Sequence, residues 1–73
     1  MVKEKGFVLQ LAPMDHLMRK AGAYRVSETA KRELRKILEG FAVELSRKAI
    51  KLANHAGRTT IKDEDLSLAN NSR

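Results

Sequence analysis

A chain of 73 residues without cysteine has room for one domain and excludes both disulfides and thiolate metal sites. Fifteen Lys and Arg against nine Asp and Glu give a formal charge of +6, which points to an acidic partner, nucleic acid ahead of an anionic membrane surface. A domain this small buries only about 60% of the surface its unfolded chain exposes, and with disulfides excluded the expected compensation is oligomerisation.

Residues 1–8, MVKEKGFV, read as a short charged arm. The stretch MVKEKGFVLQLAP lacks the long apolar core of a signal peptide, and no apolar run in the chain approaches the roughly 20 residues that span a bilayer. The mature chain is therefore expected to start at or near Met1, in a cytosolic setting that the absence of cysteine fits. Phe7, Val8, Leu9 and Leu11 are apolar enough to dock on the fold. Pro13 suits the first position of a helix, where a missing N–H costs nothing, and Asp15 then lies near the positive end of its dipole. Met14, Leu17, Met18 and Ala21 follow at spacings of three and four, and Gly22 is a natural stop. The spacing predicts a first helix over 13–22.

After a short extended AYRV, Ser27 is a good N-cap, although Ala30 stands where a capping box wants Glu or Gln. Residues 28–56 contain no proline and one glycine, Gly40, which marks either close packing or a tolerated surface position. Ala30, Leu34, Ile37, Leu38, Phe41, Leu45, Ala49, Leu52 and Ala56 line one face of a helix about 43 Å long. Val43 and Ile50 point nearly opposite that face, at about 100° per residue. One side can take the chain's own short helices. The other requires a second molecule, so the geometry predicts a dimer. Gly57 stops the helix, RTTI is brief and β-prone, and Lys62 or Asp63 opens a third helix that ends near residue 70. The organisation is an arm over 1–8, an all-α fold over 9–70 and a frayed end over 71–73.

The chemistry is limited. His16 and His55 are far apart and lack partners at ligand spacing, so no metal site is expected, and no cofactor motif appears. Asp63, Glu64 and Asp65 fan out around a helix rather than converging on a pocket, which fits dipole complementation and not acid–base catalysis. No enzyme is read here. The cations are more informative: Arg19 and Lys20 close the first helix, Arg25 sits in the first loop, Arg58 and Lys62 in the second, and Lys31, Arg32, Arg35 and Lys36 in the first turns of the long helix. Loop arginines backed by helix N-termini suit phosphate. One tyrosine and two phenylalanines are too few for a single-strand stacking platform, which favours duplex backbone contact.

The blocks LAP, AGA-RVS, KLA-HAGR-TIK-ED and LA, aligned without gaps from about Leu9 to Ala69, resemble the archaeal histones. The resemblance implies a histone fold in which two chains clasp head to tail with their long helices crossing. It implies a protein of the nucleoid that binds, bends and wraps duplex DNA. It matches Arg25 to the arginine that enters the minor groove, Thr60 to its supporting threonine, and Arg58, Lys62 and Arg19 to basic positions near phosphates. Thr59, His16 and Ser27 complete the DNA-facing set, Thr59 standing where a lysine is common and His16 where an arginine is common. Leu52, His55 and Asp65 match a four-helix contact between dimers, and Gly22 a close approach between stacked turns of DNA superhelix. Asp65 has two candidate partners that need not exclude one another: Arg58 of its own chain, in a loop–helix clamp, or His55 across a dimer–dimer contact. The expected partners are duplex DNA and a second copy of the chain, with assembly into tetramers or longer oligomers. A heterodimer acting as an interaction module in transcription or assembly is the alternative.

Overall fold

The computed structural model describes residues 6–71 and holds three helices, α1 (Leu11–Lys20), α2 (Glu28–His55) and α3 (Asp63–Asn71). No strand occurs among the described residues, so the β-prone RTTI is bent loop. Residues 1–5 of the arm and 72–73 of the end lie outside the described residues; Asn71, placed in the frayed end by sequence, is the last residue of α3. Contacts group the chain into two compact units, Met1–Gly40 and Phe41–Arg73, with α2 running through both.

In the first unit α1 begins at Leu11, two residues before the predicted start, with Gln10 as an extended N-cap. Pro13 is third in the helix rather than first. The first four N–H groups of a helix have no internal acceptor, so proline is tolerated throughout that turn. The shift removes Asp15 from the first turn, and its carboxylate pairs with Arg19 one turn on, Nε to Oδ2 2.9 Å. The residues ahead of α1 dock on α2. The Val8 N–H donates to Glu39 Oε2 at 2.6 Å, and the Leu9 N–H donates to the same oxygen. The guanidinium of buried Arg35 lies over the Phe7 ring, 4.1 Å from its centre, a cation–π contact. Arg35, grouped by sequence with the phosphate-facing cations, is thus a packing residue.

Both helix stops close in the same way. Gly22 has φ +116°, its N–H donates to the Arg19 carbonyl at 3.0 Å, and the Ala23 N–H donates to the Met18 carbonyl at 3.0 Å. At the end of α2, Gly57 has φ +80°, its N–H donates to the Asn54 carbonyl, and the Arg58 N–H donates to the Ala53 carbonyl, each at 2.9 Å. Each is a Schellman closure, which requires the left-handed backbone that glycine adopts without strain. A Cβ added at Gly40 meets nothing within 4 Å, so the chain itself offers that position no close neighbour.

The core is thin. Among the described residues, Met14 is the buried apolar side chain of the first unit, and Ala49, Ala53 and Ala69 are those of the second. Ile37 and Phe41, on the predicted inner face of α2, are 56% and 49% exposed; Val43 and Ile50, on the other, are 49% and 45% exposed. Burying each such side chain contributes about 1.5–3 kcal/mol, and the chain alone realises little of it.

Candidate nucleic-acid interface

The first loop, residues 21–27, is held from both ends. Arg19, fixed by Asp15 through Nε, donates from Nη1 to the Tyr24 carbonyl at 3.1 Å. The Arg19 guanidinium holds the Asp15 carboxyl below its usual range. Ser27 caps α2: its Oγ accepts the Ala30 N–H at 3.0 Å and lies 3.2 Å from Thr29 Oγ1. Replacing Ser27 with alanine is expected to cost about 1 kcal/mol, and with glycine only a few tenths, measurable by denaturant unfolding; equal costs would remove the cap from the account. Lys31 is drawn into the helix surface by Glu28, Nζ to Oε2 2.9 Å, and by Asp15 at 3.9 Å. Its ammonium in turn lowers the Glu28 carboxyl's pKa. Arg25 is exposed, and with Met18, Ala23, Val26, Ser27 and Ala30 it lines an open cavity of about 490 Å³. Of the predicted DNA set in this unit, Arg19, Arg25, Ser27 and His16 are all exposed, and Arg19 in addition shapes the loop through its Nε and Nη1.

The second loop, residues 56–62, is built around one carboxylate. Asp65, 4% exposed, receives Arg58 Nη1 on Oδ2 at 2.9 Å and Nη2 on Oδ1 at 3.0 Å. Its Oδ2 also accepts the Lys62 N–H at 2.8 Å, which is the returning half of a capping box, with Lys62 as N-cap and Asp65 at N3. Arg58 Nη1 reaches the Thr60 carbonyl as well, at 3.1 Å. The Arg58 fork and then the Lys62 N–H bring the Asp65 carboxyl down to about 2, and the same fork raises the Arg58 pKa. Of the two partners weighed for Asp65, its own chain supplies Arg58. Thr59, Thr60 and Lys62 are left exposed around this clamp.

Leu52 and His55 line a shallow groove of about 350 Å³ with Lys48, Lys51 and Ala69. Asp65, matched to the same contact, is 4% exposed and engaged by Arg58 of its own chain. Gly22, matched to superhelix stacking, is already required as glycine by its positive φ. Among the described residues no three His, Cys, Asp or Glu converge as a metal site, and no helix is long and apolar enough to cross a membrane.

Residues 7–69 match the family described as histone-like transcription factor (CBF/NF-Y) and archaeal histone. The chain belongs to the archaeal histone family. It is 54% identical over 61 residues to one subunit of the archaeal histone HAN1 of Thermococcus zilligii, covering 84% of this chain and 91% of that one. It is 46% identical, with the same coverage, to probable archaeal histone 3 of Methanocaldococcus jannaschii. The three helices are those of the all-α histone fold, and a histone of this family is a DNA-binding protein, not an enzyme.

Three features of this histone escape sequence reasoning. Glu39 gathers the N–H groups of Val8 and Leu9 from some thirty positions away, and no local pattern encodes that separation. Phe7 and Arg35 meet over a similar interval. Tyr24, passed over as part of an extended connector, stands 88% exposed in the first loop.

Proposed function

We propose that two copies of this histone clasp through the exposed apolar faces of α2, and that the dimer binds, bends and wraps duplex DNA largely without sequence specificity, compacting the chromosome. The observation that carries this reading is the placement of the free cations. Arg25 stands exposed just ahead of the capped N-terminus of α2, and Lys62 stands exposed at the N-terminus of α3. Cations and helix N-termini together suit a phosphate backbone. Thr59 and Thr60 add uncharged donors, and Arg19 and Arg58 act on DNA chiefly by holding the loops that present these groups. Contacts of this kind read bendability more than base sequence.

Electrophoretic shift of a mixed-sequence duplex at rising salt tests the proposal. With some six or more phosphates neutralised, affinity is expected to fall by about a thousandfold or more between 50 and 200 mM salt. Absence of salt-sensitive binding sinks it. Dimers are proposed to join further through the groove that Leu52 and His55 line. Nuclease digestion of reconstituted complexes reads this directly: an evenly stepped ladder of protected fragments marks extension along DNA, and one fixed fragment marks a closed particle.

A second reading is favoured by one finding, that the relative at 54% identity carries the name of one subunit of a histone. In that reading the partner is a different histone-fold chain. Purification as an obligate heterodimer, with no self-association of the isolated chain, would establish it over the homodimer.

A further inference from the structure

We propose that Tyr24 is a DNA-contacting residue, its hydroxyl donating to a backbone phosphate and its ring lying against the adjoining sugar, next to the groove that Arg25 enters. The inference rests on the duplex-binding reading above and adds an uncharged contact to it. Tyr24 is 88% exposed, the most exposed large apolar side chain among those described. A solitary exposed apolar residue is ordinary on a protein surface. What sets Tyr24 apart is that its backbone is fixed.

Its carbonyl is held by Arg19 Nη1, and Arg19 is held by Asp15. The two residues ahead of it, Gly22 and Ala23, are tied to α1 by backbone hydrogen bonds, and Ser27, three residues on, is tied to α2. The loop therefore presents the ring from a braced point, and little conformational entropy is lost when something binds it. The surroundings select the ligand. Lys20 and Arg25, on either side in sequence, are exposed and enter no ion pair among the described residues. A protein partner for an aromatic anchor is expected to offer an apolar surround. Unpaired cations flanking a ring with one hydroxyl donor fit a polyanion that alternates phosphate with apolar sugar, and tyrosine is among the side chains that position proteins on such a backbone.

Tyr24 is the only tyrosine and there is no tryptophan, so the chain's intrinsic emission reports on this one ring. The experiment titrates full-length protein with a mixed-sequence duplex, following tyrosine emission and electrophoretic shift together, then repeats the shift with Tyr24→Ala and Tyr24→Phe across a salt series. Emission is expected to change in step with the shift. Tyr24→Phe is expected to bind about three- to tenfold more weakly at every salt concentration, the worth of one hydrogen bond, and Tyr24→Ala, which loses the ring contact as well, to bind more weakly still. Because the hydroxyl displaces no counterion, the salt slope should stay that of the wild type, whereas Arg25→Ala should lower it by about 0.9. Unchanged affinity of Tyr24→Ala, or unchanged emission in a complex that shifts, overturns the contact and leaves the duplex reading standing. A fall in the melting temperature of Tyr24→Ala large enough to explain its weaker binding also overturns it, by assigning the ring to the fold. No shift of the wild type overturns both.

Discussion

Replacing Val43 with aspartate is expected to leave the protein largely unfolded at micromolar concentration. Val43 is 49% exposed in the isolated chain, and Ile50, two turns along the same face, is 45% exposed. If these half-exposed positions faced only water, an acidic substitution would change stability by no more than about 0.5 kcal/mol. If a second copy covers them, each copy introduces a carboxylate into an apolar contact with no partner, a cost of several kcal/mol per dimer. The folded chain has little in reserve, because its own buried apolar side chains are one methionine and three alanines among the described residues. Circular dichroism melts at several protein concentrations check this. The wild-type transition should rise with concentration, as linkage to association requires, and the Val43→Asp transition should be lost or broadened. A wild-type midpoint independent of concentration, with Val43→Asp melting alongside it, would refute the covered face.

That dimer argument is legible in sequence because it depends on the period of one helix, and period survives the absence of coordinates. The helix stops are legible for a similar reason: Gly22 and Gly57 each stand where a helix must turn into positive φ, and both adopt it. Ser27 is legible as a cap, and the Ala30 N–H that it receives is the N3 group that the pattern designates. The start of α1 is not legible. Pro13 marks a first turn without saying which residue of that turn it is, and the boundary is set by Leu11 continuing the helix from an arm pinned to Glu39. The misplacement of Asp15 follows from that boundary, since its role depends on where the helix starts. In the candidate interface, the residue types carry Arg25 and Lys62, but not the difference between an arginine that is presented and one that is consumed. Arg19, Arg35 and Arg58 are all arginines on a basic chain; only tertiary contacts assign the first to a loop carbonyl, the second to a phenylalanine ring and the third to a carboxylate.

Arg58→Ala is expected to lower the melting temperature by something on the order of 10 °C and to do more damage than Asp65→Asn. Removing Arg58 leaves the carboxylate, 4% exposed in the intact chain, with the Lys62 N–H as its remaining donor among the described residues, and a poorly compensated charge is the costly half of a broken pair. Removing the charge of Asp65 instead leaves a partly exposed guanidinium that water can reach. The double variant should therefore be more stable than Arg58→Ala alone, and Arg58→Lys should rescue little, since an ammonium lacks the fork that engages both oxygens. The pH dependence has a definite sign. The Asp65 carboxyl lies at about 2 in the folded chain against an ordinary 3.8. A depressed folded pKa means that its stabilisation is fully present above about pH 4 and is lost as pH falls through about 2. The gap in melting temperature between the wild type and Asp65→Asn should thus be widest at neutral pH and close across that interval. A gap that holds constant down to pH 2 would remove the ionised clamp from the account. The clamp also bears on DNA. Arg58 fixes the Thr60 carbonyl, and Asp65 fixes the Lys62 N–H, so the loop that presents Thr59, Thr60 and Lys62 is shaped by this one carboxylate. Duplex affinity of Asp65→Asn should therefore fall even though the variant makes the protein more positive. Pure electrostatics predicts the opposite direction, and an electrophoretic shift at fixed salt, below the melting temperature of the variant, decides between them.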